Sequence, residues 1–197
     1  MPQLVLASSS PYRRQALGRL GVDFISALPD CDEGPWKERI SDPQALAQAL
    51  AEAKAQSLRK SYPDAIIIGS DQVAEQAGRI FDKPGSRQQA IAQLSQMQGQ
   101  VHHLITALCV ITATQHFLHC DRTALHMRPL SAEQIAWYID RDQPFDCAGS
   151  YKLEAAGIGL FTQIISADHT AITGLPLIAL TDFLNQAGLC IPPTGVP

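Results

Sequence analysis

Eight polar side chains stand apart from the apolar pattern of this sequence: Ser8, Ser10, Arg13, Arg14, Glu33, Lys54, Asp71 and Lys83. Most fall in loops or at the ends of expected elements. Together they offer cations, carboxylates and hydroxyls, a mixture suited to a polyphosphate carried with a divalent metal. The cations would neutralise phosphate oxygens, and the carboxylates would hold a hard cation through oxygen. A carboxylate can also orient and deprotonate an attacking water. Spacing alone does not bring these residues together, so the elements that must position them come next.

Leu4–Ala7 reads as a short apolar strand that runs through three serines into a helix. Ser10 suits the N-cap, Pro11 the first helical position and Gly21 the stop. Arg13 and Arg14 then sit in the first turn, where cations oppose the positive end of the helix dipole. An anion bound at that end would remove the conflict; two tolerated surface arginines are the alternative. Farther on, Ser41-Asp42-Pro43 opens a helix with an apolar stripe of Leu46, Leu50, Ala53 and Leu58. Lys54 lies four residues from both Leu50 and Leu58, on the stripe's edge. It either lays its stem on the core and offers its ammonium to a cleft, or snorkels at the surface. Ala65–Asp71 is the clearest strand, and its unbroken β-branched run predicts burial on both faces. It is expected to end at Asp71, and ligands of open α/β sheets collect beyond strand carboxyl ends. A turn-capping aspartate is the competing reading.

The remaining pattern predicts a strand at Val22–Ile25 and a turn-rich Ala27–Asp42. A turn follows at Ala77-Gly78, with a short strand after it. A helix is expected after Ser86, then two strands, Val101–Thr114 and Phe117–Met127, paired through Gln115. Ser131 and Gln134 form a capping box for another helix. Gly157–Ile165 is expected to be a strand and Leu175–Ala187 a helix. Trp137 and Tyr138 are read as helix packing, and His102 and His103 as strand residues with structural hydrogen bonds. The five dispersed cysteines include no C-x-x-C pair, which predicts free thiols in a reducing cytosol. The formal charge of -4 argues against a broad nucleic-acid surface. No run approaches the roughly 18 apolar residues of a membrane span, and no signal-peptide pattern is expected at the start. Glycine-rich phosphate loops, dinucleotide fingerprints and nucleophile elbows are absent. His116, His119 and Cys120 do not have zinc-site spacing.

Set in order, several short stretches resemble the Maf family of nucleoside triphosphate pyrophosphatases. They are Leu6-Ala7-Ser8-Ser9-Ser10-Pro11-Tyr12-Arg13-Arg14, Asp32-Glu33, Glu52-Ala53-Lys54-Ala55, Gly69-Ser70-Asp71-Gln72, Lys83-Pro84, Ala148-Gly149-Ser150-Tyr151-Lys152-Leu153-Glu154 and Gly174-Leu175-Pro176-Leu177. The resemblance implies an α/β fold: a central mixed, twisted sheet flanked by helices, in two lobes around a deep nucleotide-binding cleft, as in inosine triphosphatase-like proteins. It implies one catalytic domain over residues 1–190 with a loosely ordered tail at 191–197. It also implies a cytoplasmic hydrolase that cuts nucleoside triphosphates between the α and β phosphates with Mg2+ or Mn2+. Asp71 then corresponds to the proton acceptor, with Lys54 and Lys83 beside it in catalysis. Ser8, Ser10, Arg13 and Arg14 correspond to phosphate-binding positions, and Glu33 with Asp71 to the metal.

Three departures concern the base. Tyr12, Gln72 and Glu154 stand where the common family pattern has Arg, Thr and Gln. An aromatic, Gln and Glu at these places resemble the branch acting on 7-methyl-GTP, although that branch is expected to carry Trp where this chain has Tyr12. A purine methylated on nitrogen is cationic, so it favours an aromatic face and a carboxylate. The expected function is therefore house-cleaning hydrolysis of 7-methyl-GTP to 7-methyl-GMP and pyrophosphate. The alternatives are the same reaction on dTTP/UTP or CTP, or a non-catalytic nucleotide-binding regulator of cell division. The expected partner is a nucleoside triphosphate, with no nucleic acid polymer and no membrane; a homodimer stays open.

Overall fold

The computed structural model describes residues 2–192. In chain order the elements are β1 (Leu4–Ala7), α1 (Pro11–Gly18), β2 (Ile25–Ala27), α2 (Gly34–Arg39), α3 (Pro43–Ser57), β3 (Ile66–Gln76), β4 (Arg79–Phe81), α4 (Arg87–Met97), β5 (Val101–Ile111), β6 (His116–Met127), α5 (Ala132–Asp142), β7 (Phe161–Ile165) and α6 (Leu177–Gln186). This is the expected mixed α/β class, a central sheet flanked by helices. The strand order is β2-β1-β3-β5-β6-β7, with β4 added to β3. β1 runs parallel to β2 and β3, whereas β3–β4 and β6–β7 are antiparallel. The chain forms two compact units, 1–71 with 106–121 and 168–197, and 72–105 with 122–167.

In the first unit, Leu4 and Leu6 of β1 and Ile66 and Ile68 of β3 share a core with Leu17, Leu108, Val110, Leu180 and Leu184. Each fully buried side chain of this kind stabilises the fold by about 1.5–3 kcal/mol. In the second unit, α4 buries Ala90, Leu94 and Met97, and α5 buries Ile135, Tyr138 and Ile139. The Ser131–Gln134 capping box at α5 forms as expected. So do the caps of Ser10, Asp42 and Ser86.

Several boundaries differ from expectation for local reasons. α1 stops at Gly18, before Gly21, which takes a positive φ of 67°. The second strand is Ile25–Ala27 rather than Val22–Ile25, because its register is fixed by pairing with Val5–Ala7. The turn-rich stretch contains a short helix, α2, which Pro35 starts instead of breaking. Residues 156–160 form a 3-10 turn, so β7 begins only at Phe161. Trp137 faces solvent at 60% exposure, with Arg141 over its ring, whereas Tyr138 is buried. At the tail, the Ile191 backbone N–H donates to Asn185 Oδ1 at 2.6 Å; residues 193–197 lie outside the described residues.

Candidate active site

The largest correction concerns Asp71. β3 does not end there but continues to Gln76. β1 pairs with β3 through Leu6 and Ile68 and stops at Ala7, so β3 passes beyond the carboxyl end of its parallel neighbour just before Asp71.

Lys54 reaches that point because two backbones come unusually close. A Cβ on Gly69 would lie 2.1 Å from the Ala51 carbonyl oxygen and 2.8 Å from the Ala55 nitrogen. Only glycine lets α3 lie this near β3. Lys54, between those two alanines, is consequently inside the buried stripe rather than on its edge, and Ala53 is the residue turned partly outward. Its Nζ donates to Asp71 Oδ1 at 2.5 Å and sits 2.7 Å from Glu33 Oε1. The other Asp71 oxygen, Oδ2, accepts no hydrogen bond among the described residues.

Glu33 occupies the N-cap of α2 but makes no capping bond, which leaves its carboxylate for the lysines. Glu33 Oε2 also meets Lys37 Nζ at 3.4 Å, one helical turn on. Partial burial pushes the Glu33 carboxyl up, but bonding and charge from Lys54, with help from Lys37, hold it below its ordinary value.

The serine loop is closed by its own hydroxyls. Ser8, itself buried, accepts the Ser10 N–H at 3.1 Å, and Ser10 accepts the Arg13 N–H at 3.4 Å. Arg13 donates Nε to the Gly174 carbonyl at 2.9 Å, which orients the guanidinium and leaves its terminal nitrogens for an anion. Burial lowers the Arg13 pKa, and the charges of Asp71 and Glu33 oppose that shift; at neutral pH it stays a cation. Arg13 therefore shares the neighbourhood of Lys54, Glu33 and Asp71. Arg14 is exposed and Tyr12 half-buried on the same helix.

Three residues with no assigned role support Arg13 through Gly174 and its loop. Ser70 Oγ lies 2.8 Å from both the Gly174 and the Ala107 carbonyl oxygens, which share its one proton. Asp168 Oδ2 accepts the Ile178 N–H at 2.9 Å and Thr170 Oγ1 the Leu177 N–H at 2.8 Å, capping α6 from the loop that carries Gly174. Ser70 lies within the quoted Gly69-Ser70-Asp71-Gln72 stretch, but its partner is over a hundred positions away and has no local signal.

Gln72, Lys83 and Glu154 belong to the second unit. Gln72 is half-buried in β3, while Lys83 and Glu154 are exposed. Glu154 follows a segment pinned by three successive residues. Ser150 Oγ donates to Gln93 Oε1 at 2.6 Å, Tyr151 Oη pairs with His102 Nε2 at 2.9 Å, and the Lys152 N–H donates to Tyr138 Oη at 2.8 Å. Burial first, then the charge of His103, lowers the His102 pKa to about 4, so its ring is neutral near pH 7. The expected structural role of His102 holds, and so does that of His103, which pairs with Glu75 at 2.9 Å. All five cysteines are free thiols. Among the described residues no helix is long and apolar enough to cross a membrane.

A family model described as Maf-like protein matches residues 3–187. The chain belongs to the Maf family. It is 46% identical to the 7-methyl-GTP pyrophosphatase of Bdellovibrio bacteriovorus over 187 residues, covering 95% of this chain and 98% of that one. It is 44% identical to the protein of the same name from Xanthomonas oryzae pv. oryzae, covering 98% and 100%. The Vibrio vulnificus protein of that name is 46% identical, covering 95% and 96%. Among solved structures, the Staphylococcus aureus Ham1 protein superposes with a TM-score of 0.52, covering 94% of this chain and 99% of that one. At 14% identity that likeness speaks for the Maf fold alone.

Proposed function

We propose that this chain is a cytoplasmic nucleoside triphosphate pyrophosphatase that hydrolyses 7-methyl-GTP to 7-methyl-GMP and pyrophosphate, in house-cleaning of modified nucleotides. One observation carries the catalytic part: Lys54 joins Asp71 to Glu33 beside the anchored guanidinium of Arg13. The names of the relatives support the substrate.

The first unit's residues divide the work by charge. Arg13, with its Nε held by Gly174, clamps phosphate oxygens, and Ser8, Ser10 and Arg14 add donors at the same helix end. Asp71 orients a water and takes its proton, for which Oδ2 is available. The water oxygen bonds to the α phosphorus while the bond to the α–β bridging oxygen breaks, and that oxygen leaves with the pyrophosphate. Lys54 neutralises charge that grows on the phosphates, and the family pattern gives Lys83 of the second unit the same role. Tyr12 has an aromatic face suited to a cationic base; the family pattern gives Gln72 and Glu154 of the second unit the polar part of base recognition.

Glu33 and Asp71 fit a divalent cation in type, since both give hard oxygen donors. Among the described residues no group of three or more acidic, His or Cys side chains forms a cage. That donor set suits Mg2+ or Mn2+ completed by substrate phosphates and water. Bound there, the cation would supply neutralisation of phosphate charge.

The deciding experiment is pyrophosphate release with Mg2+ or Mn2+ across 7-methyl-GTP, GTP, dTTP, UTP and CTP, for the wild type, Asp71→Asn and Glu154→Gln. The expected result is preference for 7-methyl-GTP, a loss of about 100-fold to 10,000-fold in Asp71→Asn, and weakened base preference in Glu154→Gln. Preference for dTTP or UTP would keep the hydrolase and reject the base assignment.

A further inference from the structure

We propose that Lys54 and the divalent cation compete for the same two carboxylates, so that the nucleotide-free protein binds metal weakly and loads it together with its substrate. The inference rests on the reading above that the substrate is a metal-borne nucleoside triphosphate.

Lys54 Nζ is 2.5 Å from Asp71 Oδ1 and 2.7 Å from Glu33 Oε1. A lysine ammonium is a compact point charge, and here it lies where a cation shared by those carboxylates would have to lie. The Lys54 and Asp71 side chains are only 10% and 11% exposed, so water screens their attraction poorly. An incoming cation must displace the ammonium or sit beside it, and sitting beside it sets like charges at contact distance. Among the described residues no group of three or more His, Cys, Asp or Glu gives the cation a ready alternative.

α3 already lies against β3 at Gly69, where even a Cβ would meet the Ala51 carbonyl oxygen at 2.1 Å. Rotation of its own flexible four-carbon side chain is enough to take the Lys54 ammonium off the carboxylates. A triphosphate makes that rotation favourable, because its oxygens accept the ammonium while Arg13 holds the phosphates in place. The freed carboxylates then take the cation. By linkage, nucleotide and metal raise each other's affinity by one common factor.

The test is a titration of the nucleotide-free full chain with Mn2+, following free Mn2+ by electron paramagnetic resonance. Wild type, Lys54→Met and Lys54→Gln are compared, each with and without Asp71→Asn, and circular dichroism checks folding. Both lysine variants are expected to bind Mn2+ roughly tenfold or more tightly than wild type, and Asp71→Asn is expected to cancel the gain. Unchanged or weaker binding in the folded lysine variants overturns the proposal. So does a tight single Mn2+ site in the wild type that Asp71→Asn abolishes, an arm that needs no lysine variant to fold. Pyrophosphate release separates the two readings. Wild-type turnover without the gain in Mn2+ affinity rejects competition and keeps the hydrolase, whereas the gain without turnover rejects the hydrolase alone.

Discussion

The two compact units hold their candidate functional residues by opposite means. In the first, Lys54, Glu33 and Asp71 hold one another by charge, and every partner in that group is also a candidate to touch substrate or metal. In the second, Glu154 makes no such pair. Its segment is held mainly by Ser150, Tyr151 and the Lys152 backbone through uncharged hydrogen bonds to Gln93, His102 and Tyr138, with the Lys152 ammonium adding the Asp142 and Gln143 carbonyls and a 3.6 Å ion pair to the exposed Asp146. Charge pairs can be exchanged when a ligand brings new charges, whereas a buried neutral network keeps its geometry. The contrast suits the proposed reaction, in which phosphates are rearranged and the base is only read.

Glycine substitutions break the contrast most sharply. Gly69→Ala should cost on the order of 3–5 kcal/mol, because its Cβ meets backbone rather than a yielding side chain. Any folded fraction should also lose pyrophosphate release as α3 moves Lys54 away from Asp71. In the second unit, a Cβ on Gly157 would lie 2.4 Å from the Lys152 carbonyl and 2.9 Å from Tyr138 Oη. Gly157→Ala should cost about 2–4 kcal/mol, while Gly159→Ala, with nothing within 4 Å, should leave the urea midpoint nearly unchanged. Equal midpoints for the two variants would show that the segment is not held as described.

pH sharpens the comparison by giving each unit its own window. His102 is neutral when folded, with its pKa lowered from 6.5 to about 4, so the unfolded chain binds the extra proton first as pH falls. Its contribution is present above pH 6.5 and is lost on acidification towards 4, on the order of 2–3 kcal/mol in all. Urea melts at a series of pH values should show this loss, and His102→Gln should flatten it. Asp168 is the counterpart in the first unit. Burial pushes its carboxyl up, but bonds from Thr170 and the Ile178 and Thr170 N–H groups prevail and hold it below 3.8. Its contribution is intact above 3.8 and fails only as pH drops below that value. Asp168→Ala should therefore destabilise at pH 7 and make little difference in strong acid. The smallest effect belongs to Arg87, whose two bonds to Asp140 are both exposed to water. Arg87→Ala should leave Tm unchanged within error.

How far the site was legible follows from which interactions are local. The Ser10 cap, the Asp42 cap and the Ser131–Gln134 box depend on residues within one helical turn, and all three form. At Asp71 the apolar run stops but the strand's hydrogen bonding does not, so the sequence pattern marks the residue without marking the strand's end. α2 was missed because Gly34 and Pro35 favour a turn and a helix start alike. For Lys54 a 3.6-residue period gives only a place on the stripe's edge, which fits cleft and surface alike. The Gly69 contact that buries it joins different elements. The support of Arg13 by Gly174 and Ser70 had no local signature at all.

The central claim is the bond that breaks, and the products decide it. Wild-type protein incubated with 7-methyl-GTP and Mg2+ should show, by phosphorus-31 NMR, pyrophosphate and 7-methyl-GMP appearing in equal amounts, with Asp71→Asn nearly silent. Orthophosphate and 7-methyl-GDP as the first products, or undiminished turnover in Asp71→Asn, would contradict the account.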